Sequence, residues 1–189
     1  LTEDGSPEDY RELRDYIRSF TGSIPLFVTP GNHDSKEALR EGWLGEAASG
    51  APFSYTAELG DCLLLSLDSS SQGVPDGHLT EESLRWLRET LELHRNRPVI
   101  LMTHHHLIPG QAEVRGLPEW QELKEALSGS SVSLILCGHT HHQHEGRFAG
   151  ILCETAAGLS FCGEGQPDGT VEFSEVYGYN LYTLQEGKL

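Results

Sequence analysis

A chain of 189 residues, 37% hydrophobic and 22% charged, is long enough for one soluble domain with a real hydrophobic core. Its formal net charge of −16 argues against a general nucleic-acid binder, and no run approaches the eighteen apolar residues of a transmembrane helix. A phosphorylated small molecule remains admissible, because bound divalent cations can reverse the field within one pocket.

The first predicted element is a helix in "SPEDYRELRDYIRSF". Ser6 is its N-cap, Pro7 its first residue and Asp9 its N3 residue, close to a capping box. Tyr10, Leu13, Ile17 and Phe20 recur at helical spacing on one face. "IPLFVT", Ile24 to Thr29, reads as a short buried strand, and Lys36 to Leu44 as a short helix. "FSYTAELGDCLLLSLD" reads as a hairpin turning at Gly60-Asp61. "TEESLRWLRETLELH" is a second helix, capped by Thr80, with Leu84, Leu87 and Leu91 on one face. "PVILMT" (Pro98 to Thr103) is a strand, "LPEWQELKEAL" a third helix and "VSLILC" (Val132 to Cys137) a further strand. The remainder of the chain reads as short strands and turns.

Alternating strands and helices imply an α/β layered fold, expected here as a single domain over residues 1–189. The cysteines Cys62, Cys137, Cys153 and Cys162 show no CxxC spacing, and two of them sit inside apolar runs. They read as buried small hydrophobes in a reducing, cytoplasmic compartment, although a segment upstream of Leu1 could carry a targeting signal.

Three predicted strands end in the same kind of residue. "LFVT" runs into "PGNHD", "VILMT" into "HHHLIPG" and "LILC" into "GHTHHQH". In open α/β sheets, ligands gather beyond the carboxyl ends of the strands. In an extended "GHTH", His139 and His141 would point to the same side, and Gly138 would let the backbone turn as the strand ends. Each piece has a plainer explanation: "GNHD" as a simple turn, "HHH" as a polar loop. The three in this order point to metal ligands, with His78, His94, His142 and His144 at the surface or behind the ligands.

"PGNHD", "THHH" and "GHTH", together with "GHLTEESLRWLRETL", resemble blocks of the calcineurin-like metallophosphoesterases, in particular the class III cyclic-nucleotide phosphodiesterase branch. The resemblance implies two facing mixed sheets flanked by helices. It implies a dinuclear centre of divalent metal ions (Mn, Fe, Zn, Co or Ni) whose bridging hydroxide attacks phosphorus. Asn32, His104 and His139 would bind the second metal and His141 the first, with His105 the alternative to His104. His33 would be the catalytic histidine at the leaving oxygen, and Asp34 its orienting partner. The implied substrate is a small phosphodiester such as a cyclic nucleotide, with no membrane partner and a homodimer left open.

The family's opening Asp-x-His block and the Gly-Asp block of its bridging aspartate are absent from the start of the chain. "LTEDGSPEDY" resembles the family's segment immediately after that Gly-Asp pair. A fragment lacking a first βαβ portion of roughly thirty residues or more is therefore expected. The competing expectations are an incomplete chain that binds metal without catalysis, and a histidine-rich loop with no site.

Overall fold

A computed structural model describes residues 1–2, 5–109, 116–166 and 170–184. Residues 3–4, 110–115, 167–169 and 185–189 lie outside this set.

Helix α1 (Pro7–Thr21) starts where its cap predicts. Ser6 Oγ accepts from the Asp9 amide at 3.2 Å, and the Asp9 carboxylate accepts from the Ser6 amide at 2.7 Å. Tyr10 is buried and Leu13 and Ile17 are partly so, but Phe20 of the predicted apolar face is exposed. Helix α2 (Lys36–Leu39) is capped by Ser35 and runs into a π-helical turn, Arg40–Leu44, which stops at the left-handed Gly45. Helix α3 (Glu81–Leu93) buries Leu84, Leu87 and Leu91 as predicted.

Helix α4 (Trp120–Leu127) begins later than the sequence suggests. Pro118 precedes it, and the Glu119 carboxylate is drawn away to accept from the Leu79 amide and to meet His78.

The strands are β1 (Tyr55–Leu59), β2 (Cys62–Ser66), β3 (Val99–Met102), β4 (Val132–Cys137), β5 (His144–Phe148) and β6 (Ile151–Thr155), with β7 (Cys162–Gly165) and β8 (Val171–Ser174). Among the described residues, the first six form one mixed sheet in the order β1-β2-β3-β4-β6-β5, and β7 and β8 form a small antiparallel pair. The expected pair of facing sheets is thus one large sheet and one of two strands. Strands β2, β3, β4 and β6 are parallel neighbours, so their carboxyl ends share one edge. β1 and β5 close the sheet as antiparallel edge strands.

The central strands bury both faces, which explains their continuous apolar runs. Leu63, Leu65, Val99, Leu101 and Ile135 pack with the apolar faces of α3 and α4. Cys62, Leu64, Ile100 and Leu134 form the opposite cluster, with Phe27 and Tyr182 against it. A third cluster joins Tyr10 to Leu39, Trp43 and Phe53.

The expected strand Ile24–Thr29 is not part of a sheet. The Val28 amide donates to the Tyr55 hydroxyl at 3.0 Å, and that hydroxyl donates back to the Val28 carbonyl at 2.8 Å. A side chain thus takes the place of a ladder neighbour. The alternation survives, since Leu26 and Val28 face one cluster and Phe27 another. Among the described residues, no helix is long and apolar enough to cross a membrane.

Candidate metal centre

The paired ends of β3 and β4 build the centre. Backbone pairing continues past the strands, with the Thr103 amide donating to Leu136 O at 3.0 Å and the Gly138 amide to His104 O at 2.9 Å. His104 and His139 therefore leave the sheet side by side, ring centroids 5.0 Å apart. His104 Nε2 lies 3.2 Å from His139 Nδ1 and 3.0 Å from Asn32 Oδ1. Separations of about 3 Å suit donors sharing one ion at bonds of about 2 Å, and an N, N, O set suits a borderline divalent metal.

Glycine 31 makes room for this arrangement. A Cβ there would stand 2.7–2.9 Å from three atoms of the His104 imidazole. The glycine of "PGNHD" lets the backbone lie against the ring, so that Asn32 can reach it.

The "GHTH" segment is not extended. His139 has φ 73° and His141 φ 59°, two of the three non-glycine left-handed residues among those described. The Thr140 amide donates to Gly138 O at 2.9 Å, closing a three-residue γ-turn on His139. Non-glycine residues seldom hold such a backbone; it costs about 1–3 kcal/mol and tends to mark functional sites. Left-handed geometry thus falls on the two histidines, not on Gly138. The turn is tied to the segment that follows β6, since the Ala156 amide donates to Cys137 O at 3.2 Å and the Gly158 amide to His141 O at 3.2 Å.

His141 Nδ1 donates to the Phe161 carbonyl at 3.1 Å, which leaves Nε2 with the free lone pair in the neutral ring. His142 Nε2 donates to Gly163 O at 2.7 Å.

His105 lies close enough to His104 and His139 to count as a third imidazole in the cluster. Both its nitrogens are engaged by protein, however. Ser69 Oγ donates to Nδ1 at 2.8 Å, and Nε2 donates to Pro75 O at 3.2 Å. Thr103 Oγ1 donates to Ser69 Oγ at 3.0 Å, completing a network that satisfies a neutral ring. Burial lowers the His105 pKa to about 4, against the hydrogen bond to the Pro75 carbonyl, which acts to raise it. His104 is lowered well below its usual range, by burial first and then by the charges of His105 and His139. Neutral imidazoles are the form that binds metal.

Asn32 and Asp34 are buried, and His33 between them is exposed. The Asp34 carboxylate accepts from Gly31 N at 2.7 Å, Tyr10 Oη at 2.8 Å, Leu1 N at 2.9 Å and Thr2 N at 3.2 Å. It ties the turn to α1 and to the first residues.

Sequence reasoning missed a second brace, Asp68. Its carboxylate meets Lys36 Nζ at 2.7 Å and accepts from the amides of Phe53 at 2.8 Å and Ser70 at 2.9 Å. The only signal was a lone aspartate at the end of a buried strand. An Asp-x-His triplet also occurs away from the start of the chain, Asp76-Gly77-His78. Its His78 pairs with Glu119 at 2.8 Å on the surface, and Gly77 packs against His105.

The model of the calcineurin-like phosphoesterase family matches residues 1–143. A probable cyclic nucleotide phosphodiesterase of Rhodococcus erythropolis is 32% identical over 166 residues, covering 85% of this chain and 55% of that protein. A probable glycerophosphodiester phosphodiesterase of Arcobacter nitrofigilis is 28% identical over 170 residues, covering 85% of this chain and 60% of that one. The chain thus spans little more than half the length of these relatives. A dimetal phosphatase from Danio rerio shares the fold, with a TM-score of 0.63 at 17% identity over 79% of this chain and 67% of the other.

Proposed function

We propose, for a chain that belongs to the calcineurin-like phosphoesterase family, that the protein hydrolyses small phosphodiesters with divalent metal held where β3 and β4 end. The observation that carries this reading is the meeting of Asn32 Oδ1, His104 Nε2 and His139 Nδ1, at 3.0 and 3.2 Å, from three separate stretches of chain. Cyclic nucleotides and glycerophosphodiesters, the classes named for the two relatives, are both within its scope.

Asn32, His104 and His139 would hold one ion, and His141 Nε2 would serve a second. Metal bound there would polarise the phosphoryl oxygens and supply a nucleophilic water of lowered pKa. His105 keeps its neighbour in place through Ser69 and Pro75 and is not a ligand.

His33, exposed next to Asn32, would hydrogen-bond or protonate the departing oxygen, a task that suits an imidazole near neutral pH. Asp34 would position His33 through the turn that it holds by Gly31 N. The γ-turn at His139 keeps that imidazole aimed before substrate arrives, so little reorganisation is needed.

The test is turnover of bis(p-nitrophenyl) phosphate and of cyclic AMP by the intact protein with Mn²⁺. His33→Ala should keep its metal and lose about 10²–10⁴ in rate. Metal binding with no turnover of any diester would leave a metal-binding protein in place of a hydrolase.

A further inference from the structure

Beside His141 stands an aromatic wall that the hydrolytic site does not use. Phe161 meets the His141 ring edge to face, with centroids 5.0 Å apart at 61°. Phe173 meets Phe161 in the same way, at 5.4 Å and 81°. The wall is fixed to the site at its inner end, because the Phe161 carbonyl receives the His141 Nδ1 proton.

Its outer end is open. Phe161 is 39% exposed and Phe173 67% exposed. In the β7–β8 register Phe173 stands opposite Gly163, which has no side chain to cover it. Two phenyl groups left in water carry a cost that a ligand could remove. Their continuity with an expected metal ligand argues for an occupant that also reaches the metal.

We propose that Phe161 and Phe173 bind the planar, aromatic part of the diester, so that the protein acts on nucleotide-type esters in preference to ring-free ones. This rests on the hydrolase reading of the same site. Phosphate would sit at the histidines and a nucleobase would lie on the phenyl faces. Stacking of this kind accepts any base, since every base has a π-face, so the wall selects for a ring without selecting which base.

The experiment uses the intact protein, wild type, Phe173→Ala and Phe173→Trp. Three quantities are measured: binding of cyclic AMP by calorimetry, kcat/KM for cyclic AMP and for glycerophosphoethanolamine, and molar mass by light scattering. Phe173 is exposed, so these variants should fold. Phe173→Ala should weaken cyclic AMP binding and lower its kcat/KM by about tenfold. It should leave glycerophosphoethanolamine within twofold, and Phe173→Trp should restore cyclic AMP. Weakened binding in a protein that hydrolyses no diester would keep the wall and remove the hydrolase reading. Equal effects on the two diesters, no effect on either, or no cyclic AMP binding by the wild type would overturn the wall. A changed molar mass with unchanged cyclic AMP binding would assign the two rings to a protein contact, and would also overturn it.

Discussion

The "PGNHD" and "GHTH" turns both present candidate ligands, and they are held by opposite means. In the first, a buried carboxylate gathers four donors, and Gly31 yields space to the His104 ring. In the second, no buried carboxylate plays that part among the described residues, and the left-handed backbone at His139 and His141 lies between bonds to the segments that follow β3 and β6. One turn is kept in shape by polar saturation, the other by attachment to a rigid sheet. The difference predicts where each will fail: the first through loss of stability, the second through loss of metal at little cost to the fold.

The largest effect should come from His139→Ala. We expect the loss of one equivalent of bound divalent ion, measured by elemental analysis, together with diester turnover. Stability should change little, because the backbone bonds that hold the turn, Thr140 N to Gly138 O and Gly138 N to His104 O, remain in the alanine variant; a large drop in melting temperature would undo the contrast. Next is Asp34→Ala, which strands the Gly31 amide and the Tyr10 hydroxyl. It should cost about 3–5 kcal/mol by denaturant unfolding.

Acid should weaken the His105 network. Above pH 6.5 His105 is neutral both folded and unfolded. Its pKa is about 4 in the fold. Between 6.5 and 4 the unfolded chain binds a proton that the folded chain does not, so stability falls as pH falls. The loss approaches about 3 kcal/mol from this group, and His104 acts in the same direction. Urea midpoints of metal-free protein measured across this range should show the slope, and His105→Gln should flatten it. The smallest effect is Gly31→Ala, about 1–3 kcal/mol from a Cβ pressed on the His104 ring, with weaker metal binding.

Much of this molecule can be read from local pattern. The cap at Ser6, the hairpin turn at Gly60-Asp61 and the apolar faces of α3 and the central strands arise from interactions a few residues long. Two of the three expected histidine-bearing strand ends, those of β3 and β4, are legible in the same way. The features that escaped depend on distant partners. Ile24–Thr29 has the pattern of a strand, but its Val28 bonds go to Tyr55. The left-handed φ of His139 belongs to a turn flanked by bonds to His104 O and from Ala156 N, and the residue types of "GHTH" do not announce it. His104 and His105 are neighbours of one type; Asn32 and His139 beside the first ring, Ser69 and Pro75 beside the second, all distant in sequence, distinguish them. The roles of Gly31 and Asp68 likewise exist only once the chain has folded.

The central claim is that Asn32, His104 and His139 share one ion while His105 is held back by protein. Imidazole ¹⁵N NMR of the intact protein during titration with Zn²⁺ tests it most directly. The account predicts metal-bound shifts at His104 Nε2 and His139 Nδ1, with both His105 nitrogens unchanged. Metal-bound shifts at His105, or none at His104 and His139, would contradict it.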